Sequence, residues 1–457
     1  MSEIPLSLRG QLGYACGMLG WSIMINIVTV MLIYFYVPPN SSDLTVLIPQ
    51  VTVLGIFTLL ALIAASGRLL DAITDPLIAY FSDRSQHRLG RRIPFLRVAI
   101  IPSILFGVLI FVPLEYQESY RNVWWLTFIQ AGFYLSLTCY IIPFNALLPE
   151  LAPSPREKVR LSTLLSLAFV LGVIVSSQTP GLADWIQQAF HLEKRIQAFQ
   201  IVIGGLYFLG GLFMIVPLVV IDEQKHCNNH PATIPLGKAF RHILSHRNFL
   251  IFIIADFSYF VSLTIISSGL LYFVKVLLFL EESIGGQVMF VLVMVSLLFY
   301  PLVIRLTNSV DKRRLMLYSL FLQGALMMTI FFFGKISLPA TYQIFGFALL
   351  AAIPSAFLGI LPFAIIAEIA EQDGQQTGQQ KEAMFFAVRN FSTKLGQTIG
   401  IMIFAMLTLF GKDPYDDLGI RLAAVFGGAL CLTAGIIFIQ FKEVREYKEL
   451  GIEPGKI

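Results

Sequence analysis

The chain has 457 residues, of which 56% are hydrophobic and 13% charged, with a mean hydropathy of +0.77 and a formal net charge of +4. A soluble domain carries about 25% charged residues, so water is excluded as the solvent for most of this surface and lipid is the one that fits. Cys16, Cys139, Cys227 and Cys431 show no C-x-x-C pairing, which argues against a disulfide framework or a metal site. The basic residues are scattered through short loops, so no nucleic-acid partner is expected.

Apolar runs bounded by Pro, Gly and charged residues predict about twelve membrane-spanning helices, at 9–37, 48–81, 94–114, 122–148, 160–180, 198–221, 248–279, 285–305, 313–334, 340–369, 383–411 and 418–441. The first has no basic leader or small-residue cleavage site and reads as a retained span, not a signal peptide. The longest polar connection, Asp222 to Arg247, divides the chain into six plus six. The organisation is thus a half at 1–222, a linker at 223–247, a second half at 248–441 and a polar tail at 442–457. The predicted fold class is an all-α integral membrane protein of two six-helix halves.

Alternate loops differ in basic residues. One side carries 22, including Arg84, Arg88, Arg91, Arg92 and Arg97, and the other only six, including Arg121, Arg195 and Lys412. That asymmetry predicts both termini and the linker in the cytoplasm. Trp124, Trp125 and Trp185 fall at external span ends, where an aromatic belt belongs.

Ionisable groups inside spans are costly in hydrocarbon and mark function unless they are neutralised. In the second span Arg68, Asp71 and Asp75 are spaced three and then four apart, which puts them on one helix face with the carboxylates one turn apart. Pro76 removes a backbone donor and frees a carbonyl one turn earlier. Two carboxylates so close repel unless a cation or proton joins them, and Na+ prefers such oxygen ligands, with the Thr74 hydroxyl as a further donor. The alternative is an architectural network in which Arg68 and a lysine neutralise the pair. In the eleventh span Lys394 is the natural counter-charge, and Arg389 either pairs with an acid, holds an anionic substrate or snorkels to the surface. Asp256 and Lys275 in the seventh span read as structural. Glu368, Glu371 and Asp373 read as the solvated end of the tenth span, gating against nearby arginines. Gly396 and Gly400 form a G-x-x-x-G that reads as a packing contact. No G-x-S-x-G, P-loop or H-E-x-x-H is present, so enzyme chemistry and cofactors are not expected.

The stretch from Gly67-Arg68 through Asp71, Asp75-Pro76 and Asp83-Arg84 to Arg91-Arg92 closely resembles the glycoside-pentoside-hexuronide:cation symporter family of the major facilitator superfamily, typified by melibiose permease. Pro143-Phe144-Asn145 with Pro149-Glu150, and Glu368 to Glu371 with Lys394-Leu-Gly396, extend the resemblance over nearly the whole chain. The resemblance implies a major-facilitator fold working as a monomer, with a Na+ or H+ site at Asp71 and Asp75 near Lys394. It also implies a small-molecule substrate held between the halves and a cytoplasmic gate of Asp83, Arg84, Arg91, Arg92 and Glu368. The family's sugar-holding positions, an acid on helix one, an acid on helix four and an aromatic residue one turn beyond it, fall on Ser22, Ile141 and Asn145, so without these acids a galactoside is not implied. Together with Arg389, that leaves a sugar or glycoside as the first expectation and an anionic or amphiphilic substrate, or an uncoupled carrier, as the alternatives. The membrane expected is that of the cell.

Overall fold

The computed structural model describes residues 6–53, 57–85, 87–88, 90–152, 155–223, 247–307, 309–377 and 382–442. The linker and the tail lie outside these residues except for Glu223, Arg247 and Lys442. Helix dominates because in lipid every backbone polar group must be satisfied within its own segment. In the first half run α1 (Leu8–Tyr36), α2 (Leu59–Arg84), α3 (Ile93–Ile110), α4 (Tyr120–Leu151), α5 (Pro155–Ser177), α6 (Thr179–Ala189) and α7 (Arg195–Val220). In the second run α8 (Arg247–Tyr272), α9 (Ser283–Thr307), α10 (Lys312–Thr329), α11 (Ala340–Thr377), α12 (Glu382–Leu407) and α13 (Leu418–Phe438).

Eleven helices among the described residues are long and apolar enough to cross a membrane. The helix α2 is not among them, since every stretch of it long enough to span contains Arg68, Asp71 and Asp75. Large apolar side chains face outward throughout, among them Leu298 at 75% exposure and Val219 at 80%, as a lipid-facing surface requires.

The chain forms two compact units. The first holds the described residues up to Glu223, together with Leu270–Lys275 and Glu281–Gln287. In it α1 packs on α5 and α7, α3 on α4 and α7, α2 on α4, and α6 on α7. In the second, α10 packs on α11 and α13, and α12 on α11 and α13, around a core that includes Phe249, Phe252, Met316, Leu361, Ile366 and Phe438. Gly396 and Gly400 rest α12 on the α8 backbone: a Cβ at either would lie 2.9 Å from the Phe257 carbonyl oxygen or 2.8 Å from that of Val261.

Three departures from the expected spans have local causes. The second span was expected from residue 48, but strands β1 (Thr52–Val53) and β2 (Phe57–Thr58) first form a two-stranded ribbon, and α2 starts where the Thr58 hydroxyl accepts from the Ala61 amide at 3.0 Å. After α5, Pro180 in the first turn starts α6, an 11-residue helix too short to span. Finally, α11 runs on to Thr377, so Glu368 lies within a helix and not at its end.

Candidate coupling-ion site

On α2, Arg68, Asp71 and Asp75 lie on one face by their spacing. The face is held from two neighbours. From α1, Thr29 accepts a 2.7 Å hydrogen bond from Arg68 Nη2, and from α4 the Tyr134 ring lies 5.9 Å from the guanidinium. One turn beyond Tyr134 on the same face of α4, the Thr138 hydroxyl donates to Asp71 Oδ1. Arg68 is 6% exposed, whereas Asp71 and Asp75 are half-buried. A carboxylate bonded to a hydroxyl keeps acceptor positions for a further partner. Two carboxylates and a threonine hydroxyl form the all-oxygen set that a hard monovalent cation takes. Thr74 turns its hydroxyl back along α2, donating to the Leu70 carbonyl at 2.9 Å. That leaves its oxygen lone pairs available, and such back-bonding loosens the helix at the turn that precedes Pro76.

In the second unit, Arg389 of α12 is not a snorkelling residue. It is 3% exposed and grips Asp256 of α8 with two bonds, Nε to Oδ2 at 2.9 Å and Nη2 to Oδ1 at 3.1 Å. Its guanidinium also lies 4.2 Å from the Phe363 ring centroid. Of the three fates open to Arg389 in the sequence, pairing with an acid is the one observed. Lys394 lies on α12 five residues beyond it, half-buried.

The remaining expected substrate positions sit differently. Ser22 is fully buried, its hydroxyl donating to the Phe169 carbonyl of α5 at 2.6 Å. Ile141 is 6% exposed, and Asn145, one turn further along α4, is exposed. Among the gate residues, the Asp83 side chain lies outside the described set. Arg84 Nη1 donates to the Tyr80 hydroxyl, and its guanidinium stacks 4.1 Å from that ring. Arg92 donates through Nη1 to the Ala146 carbonyl of α4. Glu368 pairs with Lys312 of α10, a lysine where arginines were expected.

Sequence reasoning missed Thr138, Thr29 and Glu223. Thr138 stands three residues before Ile141, a position the family resemblance singled out, and so lies on the same face of α4. Glu223, 3% exposed, accepts from the backbone amides of Arg91, Arg92 and Ile93 at 2.9 to 3.1 Å, so it caps α3 from outside that helix. Gly90 makes room for it: its φ is +108, and a Cβ there would meet Glu223 Oε2 at 2.2 Å.

The family model for "MFS/sugar transport protein" matches residues 13–441. The chain is 23% identical over 458 residues to an uncharacterized symporter, YnaJ, of Bacillus subtilis, covering 97% of this chain and 93% of that one. It is 29% identical over 116 residues to the sodium-dependent lysophosphatidylcholine symporter 1-A of Danio rerio, covering 25% of this chain and 21% of that one. The inward-open xylose transporter XylE from E. coli superposes with a TM-score of 0.65 at 14% identity, over 97% of this chain and 98% of that one. This multi-pass membrane protein is therefore a transporter and not an enzyme, it has the major-facilitator fold, and it belongs to the MFS/sugar transport family.

Proposed function

We propose that the protein is a secondary symporter that carries a sugar or glycoside together with Na+ or H+ bound at Asp71 and Asp75. The observation that carries this reading is the donor set on α2, two carboxylates one turn apart with the Thr138 hydroxyl on the first. An isolated ionised acid at the centre of a bilayer costs about 2.5–3.5 kcal/mol on insertion scales, so a shared cation or proton stabilises the pair and removes its repulsion. Arg68, on the same face of α2, supplies counter-charge while the site is empty. Cation binding orients α2, substrate then binds more tightly, and the loaded carrier alternates access. An ion gradient contributes about 2.3 kcal/mol per charge per 100 mV. Both termini are assigned to the cytoplasm on the basic-residue asymmetry.

The substrate class follows from two supports. The family description names sugar transport. The cation that favoured an anionic substrate, Arg389, is already neutralised by Asp256. The lysophosphatidylcholine symporter matches only a quarter of the chain and does not carry the substrate of the whole.

Uptake by purified protein in proteoliposomes tests the proposal, with a panel of labelled pentoses and glycosides and an imposed Na+ or pH gradient. Accumulation driven by one of the two gradients, and lost in Asp71→Asn and in Asp75→Asn, is expected. Counterflow that proceeds equally without either cation would instead make it an uncoupled carrier.

A further inference from the structure

The helix α6 is amphipathic and too short to cross lipid. Its exposed residues include two large apolar ones, Leu182 at 37% exposure and Trp185 at 63%, as suits a helix lying at a membrane interface. Its other side meets the first residue of α7: Arg195 Nη2 lies 2.6 Å from Asp184 Oδ1, and Arg195 Nη1 donates to Gln187 Oε1 at 3.0 Å. The same guanidinium donates through Nε and Nη2 to Glu282 Oε2 at 3.2 and 2.8 Å. Glu282 is buried, its side chain 2% exposed, and Lys275 Nζ stands 4.0 Å from its other oxygen. Gln178, the residue before α6, donates to the Gly286 carbonyl at 2.9 Å.

Lys275, Glu282 and Gly286 come from the end of α8 and the start of α9, yet they belong to the first compact unit. The segment between them, Val276–Leu280, belongs to the second. The backbone there is irregular: α8 gives way to a π-helical turn, Phe273–Leu277, and Phe279 takes φ +56, a left-handed conformation that a bulky residue rarely adopts. Such a segment tolerates a change of register that a straight helix does not.

We propose that α6 is a latch, holding the α8–α9 turn through the Arg195–Glu282 ion pair and the Gln178–Gly286 hydrogen bond, and that this face of the carrier opens when the ion pair parts. A buried pair holds strongly when its geometry is good, because parting it strands a charge in a poorly hydrated place. Lys275 beside Glu282 lessens that cost and makes the release reversible. By the basic-residue asymmetry this is the external face. The inference needs only a carrier that alternates access, and its test reads no transported substrate, so it stands or falls apart from the symport reading.

Ser283 reports the latch, since its Cβ lies 3.7 Å from where a Cβ on Gly181 of α6 would be. Ser283→Cys is made in a full-length chain with Cys16, Cys139, Cys227 and Cys431 replaced, reconstituted in proteoliposomes and labelled with a membrane-impermeant maleimide. Arg195→Gln and Glu282→Gln are expected to speed labelling by about tenfold, within the usual range of conformational coupling. Arg195→Lys, which keeps the charge, should label at nearly the parent rate. Asp184→Asn, on a more exposed side chain, should give a smaller increase and covers the case in which a Glu282 variant fails to fold. Unchanged labelling in Arg195→Gln and Asp184→Asn would overturn the latch, as would equal rates for Arg195→Lys and Arg195→Gln.

Discussion

Asp256 and Asp71 both sit inside helices of this membrane protein, and their surroundings are opposite. Asp256 on α8 is fully buried and clamped by both arms of the Arg389 fork. Asp71 on α2 is half-buried and bonded to a neutral hydroxyl, with a second carboxylate one turn away. A bidentate ion pair satisfies charge and geometry together, so Asp256 has little left to offer a ligand and serves to join α8 to α12. A carboxylate bonded to a hydroxyl, with a like charge one turn away, keeps acceptor positions that a transported cation can join. Burial of an acid in a membrane therefore does not by itself argue for a coupling site, because a clamped acid such as Asp256 serves packing.

The largest effect expected from breaking this contrast lies at the clamped pair. Arg389→Leu strands the buried Asp256 carboxylate and should destabilise the protein by about 3–5 kcal/mol, read as a fall in unfolding temperature in detergent. The double variant Asp256→Leu with Arg389→Met removes both charges and should recover most of the loss. A double variant as unstable as the single one would show that the pair does more than neutralise itself. At the α2 site the expectation reverses. Asp71→Asn and Asp75→Asn should unfold near the parent temperature in choline chloride, because each removes a repulsion. If Na+ is the coupling ion, both should lose the stabilisation that Na+ gives the parent, about 2.7 kcal/mol at a hundredfold excess over Kd. A parent protein equally stable in NaCl and choline chloride would turn the assignment to H+.

Smaller and sharper is Thr138→Val. It removes the Thr138 hydroxyl that donates to Asp71 without changing shape or charge, so the carboxylates and the fold should survive. A weakening of apparent cation affinity by about tenfold, or about 1.4 kcal/mol, is expected, with the maximal transport rate kept at high cation concentration. A loss of rate without a change in affinity would place Thr138 in the access change instead of the cation site.

The sequence made the architecture legible where the signal was simple. Long apolar runs predicted the helices, and the three-and-four spacing put Arg68, Asp71 and Asp75 on one face of α2. It was mute where the structure depends on pairing between segments far apart in the chain. Asp256 and Arg389 are 133 residues apart, and each alone reads as an ambiguous charge. Glu223 sits at the edge of a polar connection, where an acid is unremarkable, yet it caps a helix 130 residues earlier. The helix α6 was hidden because it starts where the fifth run was read to end, at residue 180, and its own apolar residues are too few to read as a span; only Pro180 hinted at a restart. Local periodicity predicts faces, but it does not say which face meets which.

Glu223 supplies the smallest expected effect and a test of that last point. Three amides at the start of α3 have no carbonyl partner in the helix, and this one carboxylate takes them all, with Gly90 turned left-handed to let it in. Glu223→Gln keeps the size but loses the charge and one acceptor oxygen, so the cap should weaken by about 1 kcal/mol, in the middle of the range for capping residues. Global stability should barely move. The stretch at Arg91 and Arg92 should open several-fold more often, and since cleavage follows the population of the opened form, trypsin should cut there correspondingly faster. An unchanged rate of cleavage would mean that the Arg92 bond to Ala146 of α4, and not the carboxylate, sets the position of this loop.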